Sequence, residues 1–387
     1  MLFRLANARL YAPEPLGVRD LLVAGEHIVH VGEAGSTRWA TAANTIDLEG
    51  RRVIPGLIDG HAHLTGGGGE SGHSSRVPPV PLSRFTRAGV TSVVGVLGTD
   101  DVTRNTESLV AAAYGLREEG ISAWCHCGGY HLPPVTITGS VRRDIVFVDP
   151  VIGVGEVAIS DHRSSQPTLD EILRIAGDAH VAGMMTGKAG ILHLHLGDGT
   201  RGLELVREAL ATSEIPARVF NPTHVNRQPA LFEEAVVLAR QGSTIDITAY
   251  PVAADDPSIP AAKAVLDYLE SGAPADLVTV SSDGGGCLPE FDADGVLQRM
   301  DIGDPGILIA TLAELVQSGV ELETALPAFT SNAAKLLRLH DRGRIGDGMI
   351  ADLVVLDDAG AAVDVMARGN WHVRDGKLAR AGTFENI

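Results

Sequence analysis

Eight short apolar runs recur along the middle of the chain, and their spacing is the strongest restriction on its fold. The runs begin 24 to 35 residues apart, which is the length of one strand and one helix. They are LIDGHAH (57–63), SVVGVLG (92–98), SAWCHCGGY (122–130), EVAISDH (156–162), ILHLHLG (191–197), FNPTHV (220–225), TIDITAY (244–250) and VTVSSDG (278–284). Amphipathic helical patterns separate them, as in TLDEILRIAGDAHVAG. Eight such units predict an α/β protein built on a (β/α)₈ TIM barrel.

A doubly wound parallel sheet would show the same alternation of strands and helices. The position of the polar residues distinguishes the two folds. Seven of the eight runs have a His, Asp or Tyr among their last three residues, on the carboxyl side, where barrel enzymes build their sites. This placement favours the barrel.

Both ends of the chain show a different pattern, with short strands broken by Pro and Gly turns. Neither end alone offers enough strands for a stable sheet, so we expect the two ends to meet. The predicted domains are a composite small β-domain of residues 1–55 and 342–387, expected to be a β-sandwich, and a barrel of residues 56–341.

Charge and cysteine content exclude several classes of partner. The chain has 31 Lys and Arg against 49 Asp and Glu, a formal net charge of −18, which disfavours binding to nucleic acid or to an anionic membrane. An odd number of cysteines, Cys125, Cys127 and Cys287, argues against a disulfide framework and favours a reducing compartment. With no signal-peptide pattern and no apolar run long enough to span a bilayer, we expect a cytoplasmic protein.

His61 and His63 end the first run, in PGLIDGHAHL. Residues i and i+2 of a strand face the same way, so both imidazoles are expected to enter the barrel mouth together. Two hydrogen-bonded core histidines are the alternative. His195, His224 and Asp283 end runs five, six and eight, and the set of four histidines and one aspartate predicts a metal site.

This set of residues resembles the amidohydrolase superfamily. Further motifs are similar to the isoaspartyl (β-aspartyl) dipeptidase family: HLTGGGGESG, TRAGVTSVVGVLGTD, GGYH followed by TITGSV, AISDHRS, PTHVNR and SSDG. The resemblance covers roughly residues 20 to 385. It implies hydrolysis of the isopeptide bond of β-aspartyl dipeptides by a metal-bridging hydroxide.

The resemblance also implies the cofactor and the catalytic residues. It assigns His61, His63 and Asp283 to the more buried of two Zn²⁺ ions per subunit, with Mn²⁺ or Co²⁺ as alternatives. His195 and His224 are expected to bind the second ion. In addition, Asp283 is expected to carry the proton to the leaving amine, and Tyr130 to donate a hydrogen bond to the oxyanion.

For the substrate, the resemblance implies a small dipeptide with a free amino group. Glu70 would pair with that ammonium, and Arg163 and Arg227 with the carboxylates. Gly68 and Thr99 match backbone contact positions. By position alone, Arg163 and Arg227 could equally form surface ion pairs, and Glu70 could be a solvated loop carboxylate. The resemblance further implies a homo-oligomer, an octamer.

Two positions depart from the family pattern. Glu156 stands where the family has a carboxylated lysine that bridges the metals, and we expect its carboxylate to bridge them instead, with activity independent of bicarbonate. A glutamate that faces a helix is the alternative. Cys287 replaces a serine that helps to bind substrate, and its thiol is a weaker hydrogen-bond donor.

Two other functions are compatible with the sequence. An amidohydrolase that acts on N-acyl-amino acids or cyclic amides would keep the metal site but would have no substrate ammonium for Glu70. A non-catalytic assembly protein on the same scaffold would be expected to lose metal ligands. This chain departs only at Glu156 and keeps His61, His63, His195, His224 and Asp283.

Overall fold

The computed structural model describes residues 2–35, 44–253, 256–291 and 297–386. For residues 289–291 and 297–299 it describes the backbone alone. Within these ranges, no helix combines the length and the apolarity that crossing a lipid bilayer requires.

The chain begins with five strands that turn sharply at Pro and Gly. The first three form an antiparallel meander, and the fourth and fifth pair with the first in parallel. Their bounds are β1 Leu2–Tyr11, β2 Pro15–Ala24, β3 His27–Glu33, β4 Asn44–Asp47 and β5 Arg52–Pro55.

Eight parallel strands follow, in the order that the apolar runs predict. Six pair in sequence as one sheet, and the last two pair with each other. Their bounds are β6 Leu57–Ala62, β7 Val90–Gly95, β8 Ser122–Cys127, β9 Val151–Ile159, β10 Leu192–Leu196, β11 Phe220–Thr223, β12 Ile245–Thr248 and β13 Val278–Ser281.

Hydrogen bonds join the two sheets into a closed ring. At one junction the Asp283 amide donates to the His61 carbonyl at 3.2 Å, and the His63 amide donates to the Gly284 carbonyl at 2.8 Å. At the other, the Asn226 side chain donates to the Thr248 carbonyl at 3.1 Å and accepts from its amide at 2.9 Å. The eight strands therefore form the predicted barrel.

Helices lie between the barrel strands and bury their apolar faces against them. The longest begins with a capping box in which Thr168 and Glu171 satisfy each other's backbone amides. The helices are α1 Leu82–Arg87, α2 Thr106–Glu119, α3 Val141–Phe147, α4 Leu169–Thr186, α5 Glu204–Thr212, α6 Pro229–Arg240, α7 Ala261–Glu270, α8 Gly306–Gln317, α9 Leu322–Ala325 and α10 Ser331–Leu337.

The chain ends by returning to its beginning. A hairpin follows the barrel, and four more strands then extend the first sheet because β16 pairs antiparallel with β5, with Leu353 opposite Pro55. Strands from both ends share a buried apolar core that includes Leu5, Val53 and Val355. These strands are β14 Cys287–Phe291, β15 Leu297–Ile302, β16 Leu353–Leu356, β17 Ala362–Ala367, β18 Asn370–Arg374 and β19 Lys377–Leu378.

Strand β9 differs from the sequence prediction. It begins at Val151, five residues before the predicted run. The prediction missed its first half because that half contains the glycines of GVG, which are unfavourable in strands. The glycines make room for neighbouring strands: a Cβ on Gly153 would lie 2.7 Å from His126 Nδ1, and one on Gly155 would lie 2.4 Å from the His193 carbonyl oxygen. Glu156 therefore lies inside the strand.

Candidate active site

Six side chains converge at the carboxyl end of the barrel. They come from the ends of β6 and β10, from the middle of β9, and from the turns that follow β11 and β13. All six are buried, and they form three overlapping groups of possible metal ligands. The residues are His61, His63, Glu156, His195, His224 and Asp283. The structure thus brings together every predicted metal ligand.

Glu156 lies at the centre of this cluster. Its Oε1 lies 3.6 Å from His61 Nε2 and 3.5 Å from His63 Nε2. Its Oε2 lies 3.0 Å from His195 Nδ1 and 3.5 Å from His224 Nε2. Each carboxylate oxygen therefore faces a different histidine pair, the arrangement that a bridging ligand needs.

Asp283 completes the first of these pairs. Its Oδ1 lies 3.5 Å from His61 Nε2 and 3.0 Å from His63 Nε2. Two ligand atoms that each lie about 2.1 Å from a tetrahedral metal are about 3.4 Å apart, so the spacing suits a zinc-sized ion.

The buried atoms of the cluster also lack the partners that burial demands. Among the described residues, His61 Nε2, Glu156 Oε1 and Asp283 Oδ1 have no hydrogen-bond partner. Buried polar atoms without partners are costly, and a divalent cation would satisfy nitrogen lone pairs and carboxylate oxygens together. The residues present therefore fit a divalent metal.

A β-bulge brings Glu156 into this position. Leu192 and Leu194 of β10 pair with Val154 and Val157 of β9, so β9 has one extra residue between these two pairs. A bulge bends a strand and redirects its side chains. The bulge therefore bends β9 next to Glu156.

Two of the candidate ligands have strained backbones. His224 has φ of 60° and Asp283 has φ of 51°, in the left-handed region that side chains other than glycine rarely adopt. Such strain collects where surrounding structure holds a residue for a function.

The electrostatics of the cluster also call for a cation. Burial raises the pKa of Glu156 well above its usual range, and the nearby Asp283 charge adds to the effect. For Asp283, burial alone would raise the pKa, but the close imidazoles of His61 and His63 outweigh it and hold the pKa well below the usual range. A metal ion would stabilise the ionised form of both carboxylates.

Tyr130 lies against this cluster. Its hydroxyl lies 2.8 Å from His195 Nδ1, and the Arg163 guanidinium lies 5.4 Å from the centre of its ring. Burial raises the pKa of Tyr130 well above its ordinary value, so the phenol keeps its proton. It is therefore a hydrogen-bond donor at the edge of the cluster.

The residues expected to bind substrate lie next to Tyr130. Glu70 Oε1 accepts a hydrogen bond from Thr99 Oγ1 at 3.0 Å and lies 3.5 Å from Arg163 Nη1. Arg163 Nη2 in turn lies 3.4 Å from His195 Nε2. A chain of contacts thus runs from the metal cluster to the glycine-rich loop.

Three further predicted residues lie at the same mouth. Arg227 follows β11 and is half-buried, and among the described residues none forms an ion pair with its guanidinium. Gly68 has φ of +72°, and a Cβ there would lie 2.5 Å from the Ser75 carbonyl oxygen and 3.4 Å from Cys287 Cβ. Burial, followed by the charges of nearby carboxylates, raises the pKa of the Cys287 thiol to about 11.

Sequence reasoning missed two residues of the site. Asp161 is buried between His195 and Arg163, with Oδ2 3.1 Å from His195 Nε2. His193, two residues before His195, has its Nε2 2.8 Å from His61 Nδ1. Asp161 could have been noticed, because it follows a barrel strand at its carboxyl end.

Lys188 plays a structural part. Its ammonium donates to the carbonyls of Ile145, Val148 and Val151, at 2.6, 2.8 and 2.9 Å. It therefore ties α3 to the start of β9.

Comparisons with known proteins agree with this geometry. The model of the amidohydrolase family matches residues 315–375. The crystal structure of a β-aspartyl dipeptidase from Fervidobacterium islandicum AW-1, in complex with β-Asp-Leu, is 41% identical, covers 100% of both chains and has a TM-score of 0.92.

More distant proteins are also similar to this chain. Imidazolonepropionase from Ruegeria sp. (strain TM1040) is 26% identical in an alignment 386 positions long that covers 91% of each chain. Dihydropyrimidinase from Brevibacillus agri NCHU1002 is 16% identical, covers 99% of this chain and 97% of its own, and has a TM-score of 0.66. At that identity the likeness shows the fold alone.

Proposed function

The chain belongs to the β-aspartyl dipeptidase family of amidohydrolases, and from this membership we propose that it hydrolyses the isopeptide bond of β-aspartyl dipeptides at a binuclear metal centre. The observation that carries the proposal is the contact between the metal cluster and the charged side chains of the mouth: Arg163 Nη2 lies 3.4 Å from His195 Nε2, and Arg163 Nη1 lies 3.5 Å from Glu70. A β-aspartyl dipeptide has one ammonium and two carboxylates, which one carboxylate and two guanidinium groups complement.

We assign the cluster to two divalent metals, with zinc as the expected metal. His61, His63 and Asp283 would hold one ion, His195 and His224 the other, and Glu156 would bridge them. Bound there, the metals would acidify a water molecule and polarise the scissile carbonyl.

The protein's own groups would handle the protons and the developing charge. The Asp283 carboxylate, held in its ionised form, would accept the proton of the attacking water and pass it to the nitrogen of the leaving amine. The Tyr130 phenol would donate its hydrogen bond to the carbonyl oxygen as negative charge develops on it.

Binding of the substrate would rearrange the contacts of the mouth. Glu70 Oε1 is used by Thr99 and Arg163, while Glu70 Oε2 is left to accept from the substrate ammonium. Arg163 and Arg227 would then bind the two carboxylates. The Gly68 backbone would line the same pocket beside Cys287, whose neutral thiol would be a weak donor to the substrate.

The organisation beyond the site completes the proposal. Residues 1–55 and 342–387 would form the composite small domain, a β-sandwich, and residues 56–341 the catalytic barrel. The three cysteines form no disulfide, which supports a reducing compartment such as the cytoplasm. Family resemblance supports a homo-oligomer, an octamer.

A comparison of acylated and free substrates tests this function against its nearest rival. Zinc-loaded protein is given β-Asp-Leu and N-acetyl-β-Asp-Leu at equal concentrations. We expect kcat/KM to fall about a hundredfold or more on acetylation, because Glu70 would be left without its ammonium partner.

The matched variant is Glu70→Gln, which should lose most of this discrimination. Preference for the acetylated peptide would instead indicate an N-acyl-amino-acid hydrolase. Inability to hydrolyse either peptide or cyclic amides, with metal bound, would indicate a non-catalytic protein.

A further inference from the structure

A single buried carboxylate lies between the metal cluster and the substrate-binding residues. Asp161 follows β9 and is 3% exposed. Its Oδ2 lies 3.1 Å from His195 Nε2 and accepts from Arg163 Nη2 at 2.7 Å. Its Oδ1 accepts from the Arg163 amide at 2.7 Å and from Arg163 Nε at 3.0 Å.

We propose that Asp161 is a positioning residue that fixes both the tautomer of the metal ligand His195 and the orientation of the substrate-binding guanidinium of Arg163. The proposal rests on the proposed function, because it assumes that His195 binds a metal and that Arg163 binds substrate.

The effect on His195 follows from the chemistry of the carboxylate. An ionised carboxylate only accepts hydrogen bonds, so the hydrogen of neutral His195 must lie on Nε2. The lone pair is then on Nδ1, the atom that lies 3.0 Å from Glu156 Oε2. Carboxylates in this position orient the histidine ligands of metals and make them more basic.

The effect on Arg163 is geometric. Two parallel hydrogen bonds, from Nε and Nη2, lock the plane of the guanidinium against Asp161. Nη1 remains outside this fork and points toward Glu70 Oε1, 3.5 Å away. A substrate carboxylate would therefore meet a guanidinium whose orientation is already fixed, and little entropy would be lost on binding.

The close approach of Asp161 also explains a glycine in the neighbouring strand run. A Cβ on Gly197 would lie 2.5 Å from Asp161 Cβ. Gly197 is the second residue after His195, so the same segment supplies the ligand and the space for the carboxylate that orients it.

The test is the variant Asp161→Asn, which keeps the shape but turns one acceptor into a donor. The four hydrogen bonds of the Asp161 carboxylate all come from nitrogen atoms, so either orientation of the amide places a donor against a donor. Opposite His195 Nε2, the amide would favour the tautomer with its hydrogen on Nδ1, and Nδ1, which faces the cluster, would then have no lone pair for a metal.

Zinc affinity is measured by competition with a chromophoric chelator, alongside KM and kcat for β-Asp-Leu. We expect Asp161→Asn to lower the affinity for the more weakly bound of the two zinc ions by about tenfold or more. The same variant should raise KM for β-Asp-Leu. The control Arg163→Gln leaves Asp161 and His195 in place and should raise KM while zinc affinity stays within about twofold of the unmodified protein. Thermal unfolding of the metal-free proteins verifies that both variants fold.

Unchanged zinc affinity in Asp161→Asn, or an equal loss in Arg163→Gln, would overturn the proposal. The zinc titration needs no substrate, so two tight equivalents in an unmodified protein that fails to hydrolyse β-Asp-Leu would contradict the proposed function alone. An unmodified protein that binds no zinc would overturn both.

Discussion

His61 Nδ1 lies 2.8 Å from His193 Nε2, and this contact determines which nitrogen of His61 faces the metal cluster. His193 Nδ1 lies 2.7 Å from Asn221 Oδ1, and Asn221 Nδ2 donates to the Thr244 carbonyl at 2.8 Å. The Thr244 carbonyl can only accept, and this fixes the direction of every hydrogen bond in the series: Asn221 accepts from His193, and His193 accepts from His61. The lone pair of His61 is therefore on Nε2, toward Glu156 and Asp283.

Breaking this series of hydrogen bonds should weaken metal binding. We expect His193→Leu to lower zinc affinity about tenfold or more, because His61 would lose the acceptor that holds its tautomer. His193→Gln should restore most of the affinity, since its amide offers one acceptor and one donor in the same sense.

The matched control is His126→Leu. His126 is buried, its ring centre is 5.4 Å from that of His193, and neither of its nitrogens has a partner among the described residues. Zinc titration that shows equal losses in His126→Leu and His193→Leu would refute the directional account.

Metal removal and reloading tests the bridging role of Glu156. Protein stripped by a chelator and reloaded with zinc in carbon-dioxide-free buffer should regain the same activity with and without bicarbonate, because a glutamate needs no carboxylation. Glu156→Gln should bind zinc at least about tenfold less tightly, since it removes the charge between the two histidine pairs. Reactivation that requires bicarbonate would contradict this assignment.

The pH dependence of alkylation tests the state of Cys287. Its raised pKa, about 11, leaves the thiol protonated at neutral pH, so its reaction with iodoacetamide should keep accelerating from pH 8 to pH 10. An ordinary thiol, with a pKa near 8.5, would approach its limiting rate over that interval.

Cys125 and Cys127 are buried and should react only after unfolding. Cys287→Ser should keep kcat within about threefold of the unmodified protein, because the mechanism gives this thiol no covalent step. A rate of alkylation that levels off by pH 8, or a serine variant without activity, would show that Cys287 is an activated nucleophile.

Much of the site could be predicted from the sequence because strand geometry is local. Residues two apart on a strand point to the same face, so His61 and His63 could be placed together. The carboxyl ends of parallel strands meet at one end of the barrel, which placed His195, His224 and Asp283 beside them. Family resemblance added Glu156, Tyr130 and the residues of the mouth. The strands of both chain ends were likewise expected to meet, and β5 and β16 do pair.

What could not be predicted depends on contacts between distant strands. The roles of Asp161 and His193 follow from which atoms they meet across the barrel, and the spacing of residues along one strand does not contain that information. The same applies to the start of β9: Gly153 and Gly155 lower strand propensity locally, and only the neighbouring His126 and His193 explain why they are needed.

The most direct test of the central claim is steady-state hydrolysis of β-Asp-Leu by the zinc-loaded protein, with α-Asp-Leu measured in parallel and chelator-treated protein as the blank. The account predicts turnover of the β-linked peptide alone, abolished by the chelator and restored by zinc. Hydrolysis of α-Asp-Leu at a comparable rate, or no turnover of β-Asp-Leu with two zinc ions bound, would contradict it.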